Sequence, residues 1–238
     1  MSAQQALALE LRAPPDLATV HVPAHAPALA RALAAVRVRT TGAGHMPLYL
    51  HGPAGTGKSH LLLGACAALG QQHRRAHYLP LRTLRAHLPQ VVDQVESAPL
   101  IAVDEIEALA GHTAAELALF ALYDRVRAAG GALLLAGRAA PGALGLVRPE
   151  LQSRLAWGEV LRLEALDDAG VRAVLIQRAA ALGLELPDAV ADYLLTRAPR
   201  ALADQLTVLA RLDRAALAAQ RRLTVPFVRG VLNGAPAA

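Results

Sequence analysis

The chain has 238 residues, 54% of them hydrophobic but only 3% aromatic, so it has room for one sizeable α/β domain plus a smaller appendage, with a core mainly of Leu, Val and Ala. No apolar run reaches the about 18 residues of a membrane span, the N-terminus lacks a signal peptide's basic start and apolar stretch, and the lone Cys66 excludes a disulfide framework. The net charge of +5 comes from dispersed arginines with no basic run longer than two, the pattern of solvated helix faces rather than of a surface that tracks phosphates.

Residues 1–16 are short and polar-ended and close on Pro14-Pro15-Asp16, which reads as a tail with a linker. His21/His25 and His73/His77 have the spacing of a metal pair on a helix, but without cysteines or carboxylates beside them they read as surface histidines. From Pro27 to Val38, Leu29, Leu33 and Val36 fall at helical spacing. Leu48 to His51 reads as a first strand, Leu61 to Leu69 as a helix carrying Cys66 as a small buried residue, and Ala76 to Leu79 as a second strand. Leu100 to Val103 is continuously apolar, as in a strand buried on both faces of a parallel sheet. Leu117, Phe120, Tyr123 and Val126 mark a helix stripe that ends at Gly130-Gly131; Ala132 to Ala136 and Val160 to Leu163 are further strands. Alternating strands and helices predict βαβ units in an α/β fold with a parallel sheet. After about Ala165 only helices are predicted: 167–182, 187–197, 200–220 and 224–232.

Between the first strand and its helix lies Gly52-Pro53-Ala54-Gly55-Thr56-Gly57-Lys58-Ser59, followed by His60. This is G-x-x-x-x-G-K-S, the phosphate-binding loop, and Lys58 is the only lysine among the 24 basic residues. A compact ammonium reaches β/γ-phosphate oxygens where a planar guanidinium fits poorly, so this one position resists the chain's preference for arginine. The glycines let backbone N–H groups wrap the phosphates, and Ser59 offers a hydroxyl to Mg²⁺ at a helix N-terminus. The expected ligand is ADP or ATP. Asp104-Glu105, ending the apolar strand, completes such a site: Asp104 would hold the Mg²⁺ bound by Ser59, and Glu105 would polarise a water against the γ-phosphate. Arg154 and Arg200 are each candidates for transition-state charge, although composition alone favours a solvated arginine at either position.

The order of P-loop, Asp-Glu strand, Ser153-Arg154-Leu155-Ala156-Trp157-Gly158 and a helical region with Arg200 resembles the AAA+ ATPases, and within them the DnaA-related proteins. The C-terminal run Leu212-Asp213-Arg214-Ala215 with Ala219 to Val228, together with Tyr78-Leu79-Pro80-Leu81 and Ala65-Cys66-Ala67, is similar to their short Hda branch, over about residues 17–233. The resemblance implies a tail at 1–16, an αβα core at 17–165 and an α-helical lid at 166–238. It implies that Arg154 is an arginine finger acting in trans on a partner's nucleotide and that Arg200 is the sensor 2 arginine on the chain's own. After the fourth strand, Ala136-Gly137-Arg138 stands where the initiator carries polar sensor 1 residues including an acidic one, so slow intrinsic ATP turnover is expected, with no evident carboxylate at that strand end. Gln4-Gln5-Ala6-Leu7-Ala8-Leu9 is similar to a sliding-clamp-binding peptide, with Gln4, Leu7 and Leu9 as its contacts and Gln5 where a leucine is usual.

The implied partners are the initiator DnaA and the β sliding clamp of DNA polymerase III, with DNA engaged only through the clamp, no membrane, and a homo-oligomer compatible with the pattern. The implied role is a negative regulator that stimulates DnaA's ATP hydrolysis and prevents re-initiation, cytoplasmic and held at the nucleoid by the clamp. The alternative is a stand-alone AAA+ ATPase such as a helicase loader or remodelling factor. A DNA-binding initiator is a distant third, because the sequence ends a few residues past the last predicted helix, without a recognition helix.

Overall fold

The structure is a computed structural model that describes residues 17, 20, 22, 26–42, 46–95, 98–199 and 201–233. Gln4, Leu7, Leu9 and Arg200 lie outside the described residues. Two compact units meet in sequence between Leu163 and Glu164. The first begins with helix α1 (Pro27–Thr41), strand β1 (Leu48–His51), helix α2 (Lys58–Gln71) and strand β2 (Ala76–Pro80). Two short helices the sequence pattern did not reveal follow, α3 (Leu81–Leu84) and α4 (Leu88–Val95), then β3 (Leu100–Asp104). Helix α5 (Thr113–Ala128), β4 (Ala132–Gly137), the unanticipated α6 (Pro149–Ala156) and β5 (Glu159–Arg162) complete it.

All strand pairs are parallel, in the order β2-β3-β4-β1-β5, so every strand's C-terminal end lies on one edge of the sheet. The continuous apolar runs occupy the centre: β3 and β4 are buried throughout, whereas β2 and β5, at the edges, are only partly covered. That is the burial expected when helices cover both faces of a parallel sheet. On one face Ile101, Val103, Leu133 and Leu135 pack with Leu88 and Val92 of α4 and with Leu119, Leu122, Tyr123 and Val126 of α5.

The predicted stripe on α5 needs correction. Leu117 is 47% exposed and Phe120 only partly buried, while Tyr123 and Val126 are buried with Leu119 and Leu122. Steps of three residues fall about 60° short of a full helical turn each, so Leu117 and Val126, three steps apart, stand on opposite faces. The last strand is also shifted one residue earlier than predicted, to Glu159–Arg162.

The second unit contains α7 (Asp168–Ala181), α8 (Asp188–Arg197), α9 (Leu202–Ala219) and α10 (Val225–Leu232), around a core that includes Leu175, Leu194, Leu209, Leu212 and Val228. Its helix starts are legible in capping residues. Asp167 accepts the Gly170 N–H at 2.8 Å, and Thr224, followed by Val225 and Pro226, accepts from Phe227 N–H at 3.4 Å. Arg172 ties α7 to α8 through Asp188 and Asp192.

Candidate functional site

Parallel strands place their polar terminal residues together. Pro80 pairs with Asp104 across β2 and β3, Val103 with Leu135 across β3 and β4, and His51 with Gly137 across β1 and β4. The P-loop after β1, the Asp-Glu pair ending β3 and the Ala136-Gly137-Arg138 segment ending β4 thus share one sheet edge. This is where open α/β sheets bind ligands.

Gly52 makes the turn out of β1 with φ +150°, and a Cβ there would lie 2.1 Å from the carbonyl oxygen of Leu163. The crowding follows from β5 continuing past its last ladder pair, with Leu163 N–H donating to His51 O at 2.7 Å. Gly55 (φ +81°) and Gly57 (φ +90°) supply the left-handed turns that bend the loop back into α2. Gly52→Ala should therefore cost on the order of 3 kcal/mol, from strain plus a backbone clash. Gly55→Ala, with nothing within 4 Å of its added Cβ, should cost only the strain of its backbone. Urea denaturation of the pair tests this, and equal losses would contradict the packing role of Gly52.

Lys58 is buried in the loop, its Nζ donating to Gly52 O and to Pro53 O, each at 2.7 Å. Burial lowers its pKa, opposed by the negative charges of Asp104 and Glu107 and reinforced by Arg138. Ser59 and His60 are exposed at the start of α2.

Asp104 is buried, and both its carboxylate oxygens accept hydrogen bonds: Oδ1 from Glu105 N–H at 2.8 Å and Oδ2 from Tyr78 Oη–H at 2.7 Å. Tyr78 was singled out in the sequence only as part of a family likeness. The pKa of its phenol is raised by burial and then by Asp104. Ser59, at the start of α2, and Asp104, at the end of β3, are the two expected Mg²⁺ ligands. A hydroxyl and a carboxylate are hard oxygen donors that suit Mg²⁺, which normally completes its shell with waters and phosphates. Among the described residues no group of three or more His, Cys, Asp and Glu could hold a metal alone.

Glu105 has φ +59°, ψ +46°, a left-handed conformation unfavourable to a non-glycine residue, at the expected catalytic position. Its Oε1 accepts from Arg82 Nε at 2.8 Å, a partner that sequence reading missed. Ala136, Gly137 and Arg138 themselves carry no carboxylate, but one approaches from elsewhere in the sequence: Glu107, from the turn after β3, accepts the Arg138 N–H at 3.0 Å and pairs with its Nε at 3.1 Å. The sequence hid this because the acidic group comes from the turn that follows the neighbouring strand.

Arg154 sits elsewhere, on α6. Its Nε and Nη2 reach Asp124 at 2.9 and 3.4 Å, and its Cζ lies 5.7 Å from the Phe120 ring centre. The start of α6 is held by Glu116, fully buried, whose two oxygens accept the Val147 and Arg148 N–H groups at 3.1 and 2.9 Å. Beside it Arg127 stacks on Trp157 at 4.1 Å. With Asp124 engaging one edge of the guanidinium and the residue 38% exposed, its remaining donors are available for an outside oxygen. Asp124 was missed in the sequence, although it stands four residues after Phe120, on the same helix face. Cys66 is partly buried and its thiol is pushed up to about 12 by burial, in keeping with an inert packing residue.

Comparison with known proteins gives the lineage. A family model described as the bacterial DnaA ATPase domain matches residues 19–162, and one described as the lid domain of Hda matches residues 167–232. Domain III of the Thermotoga maritima replication initiation protein DnaA is 18% identical, covering 93% of this chain and 96% of that one, with a TM-score of 0.76. AMPPCP-bound DnaA from Aquifex aeolicus is 21% identical over 82% of this chain and 64% of that one, with a TM-score of 0.68, so this chain spans less than two thirds of that initiator. The Thermotoga maritima RuvB Holliday junction branch migration motor shares the fold at 18% identity, covering 87% and 68% of the two chains, with a TM-score of 0.65. The chain belongs to the DnaA-related AAA+ family, close to Hda.

Proposed function

We propose that this protein binds ADP or ATP with Mg²⁺ at the P-loop and, tethered to the sliding clamp by its tail, presents Arg154 to the ATP held by DnaA. A DnaA-type ATPase domain followed by an Hda-type lid is the make-up of a replication-initiation-related AAA+ protein. The observation that carries the finer reading is the placement of Arg154. Its contacts are with Asp124 and Phe120 on α5, and among the described residues none is with the P-loop, Asp104 or Glu105. An arginine held on a helix surface by Asp124 and Phe120 suits a finger acting in trans. Gly52 to His60, Asp104 and Arg200 would hold the nucleotide, with Ser59 and Asp104 on the metal. The bound metal would draw charge from the phosphates, while Lys58 would orient them within the loop.

The second reading, a stand-alone ATPase, is favoured by Glu105, an intact carboxylate beside Asp104. Against brisk turnover, that carboxylate is engaged by Arg82, and Arg138 lies at the sensor 1 position. A reconstituted assay with purified protein, clamp loaded on DNA and ATP-bound DnaA separates the two. Loss of DnaA's ATP only when all three are present supports the regulator. Rapid hydrolysis by the protein alone, abolished by Glu105→Gln, supports the motor.

The clamp tether rests on Gln4, Leu7 and Leu9. Among the described residues no helix is long and apolar enough to cross a membrane. Removing residues 1–12 should abolish binding to immobilised clamp while leaving thermal stability and ADP affinity unchanged, because the segment precedes the Pro14-Pro15 break. Leu7→Ala/Leu9→Ala should give a partial loss. Unaltered clamp binding by the truncated protein would remove the tail from the mechanism.

A further inference from the structure

The phenol of Tyr78 occupies an unusual position for a residue with no part in phosphate binding. It donates to Asp104 Oδ2 at 2.7 Å. Mg²⁺ binds its oxygen ligands at about 2.0–2.1 Å. A phenol that donates to the carboxylate oxygen of an expected ligand therefore stands beside the place where an ion on that oxygen would sit. Asp104 has little freedom to turn aside, because it is buried and its Oδ1 is bound to the Glu105 N–H at 2.8 Å. Tyr78 itself lies in β2, its Cα paired with that of Ala102 in β3 and its neighbour Leu79 buried. Movement of the phenol must come from its side-chain torsions, without any shift of the strand.

We propose that Tyr78 is a specificity-determining residue that competes with the divalent cation for Asp104, and so lets the P-loop hold a nucleotide with little dependence on Mg²⁺. The inference rests on the nucleotide-binding reading and deepens it. Bound phosphates would have contacts independent of the metal: the P-loop backbone, Lys58 and the start of α2. A cation entering the site must break the charge-assisted O–H···O bond to Asp104, and its apparent affinity is reduced by that cost.

The test is calorimetric titration of ADP into the full chain and into Tyr78→Phe, from excess EDTA through millimolar Mg²⁺, with Mn²⁺ paramagnetic resonance as a second readout of the bound ion. Removing only the hydroxyl should lower the Mg²⁺ midpoint for tightening ADP about tenfold, the scale of one hydrogen bond to a charged group. Affinity in EDTA should change less than about twofold, because phosphate contacts are untouched. Matching far-UV spectra and melting midpoints would establish that the variant keeps the fold. An unchanged or higher Mg²⁺ midpoint in Tyr78→Phe overturns the proposal and makes the phenol an orienter of Asp104. Failure of the unaltered protein to bind ADP at any Mg²⁺ level would overturn the nucleotide reading and this proposal with it.

Discussion

Arg154→Ala is expected to give a folded, nucleotide-bound, clamp-competent protein that no longer stimulates hydrolysis by DnaA. The loss should be roughly 10³–10⁵ in stimulated rate, the worth of an arginine supplied in trans to a phosphoryl transfer. The finger stabilises charge that spreads over the γ-phosphoryl oxygens as the bond breaks, so complex formation should weaken little while stimulation disappears. Lysine should rescue poorly, because a point charge lacks the planar fork that meets Asp124 on one edge and would leave another for a phosphate. Single-turnover hydrolysis by ATP-bound DnaA, with clamp on DNA and each variant added, is the measurement. Normal clamp-dependent stimulation by Arg154→Ala would overturn the mechanism without touching the family assignment.

The other large effect belongs to Lys58. Alanine there should weaken ADP binding by roughly a hundredfold or more, the worth of about 3 kcal/mol from a charge-assisted contact in a buried site. Arginine should not restore it. The loop clasps the ammonium between two carbonyls, each 2.7 Å from Nζ, and a flat guanidinium does not fit that clasp. From the family likeness, Arg200→Ala should weaken binding as well, whereas Arg154→Ala should leave it intact. Titration calorimetry with ADP on the four variants decides the matter. A loss in Arg154→Ala as deep as in Lys58→Ala would place that arginine on its own chain's nucleotide and end its assignment to a neighbour's.

The strands and the P-loop were legible because each depends on residues adjacent in sequence. Leu100 to Val103 announces a central strand by being apolar throughout, and Gly52 to Ser59 announces its loop by spacing alone. The short helices α3, α4 and α6 were not legible, since four to eight residues give too few turns for periodicity to register; the equally short α10 was, with Thr224 and Pro226 marking its start. At the site, chemistry from a single segment was readable and chemistry assembled across strands was not. Tyr78 reaches Asp104 from 26 residues away, Arg82 reaches Glu105 from 23 and Glu107 reaches Arg138 from 31. Each contact exists because β2, β3 and β4 are neighbours in the sheet, and that ordering is a property of topology.

Helix α5 has a consequence for how α6 is aimed. Glu116, Phe120 and Asp124 stand at intervals of four along one stripe of it. The first holds the entrance of α6, and the other two hold Arg154 near its exit. The short helix is thus bolted at both ends to a longer one, and its heading is inherited. A one-residue slip in α5 would rotate that stripe by about 100° and release both bolts at once. Conversely, anything that rocks α5 as a rigid rod carries the guanidinium with it, so the reach of the proposed finger would be set by the longer helix behind it.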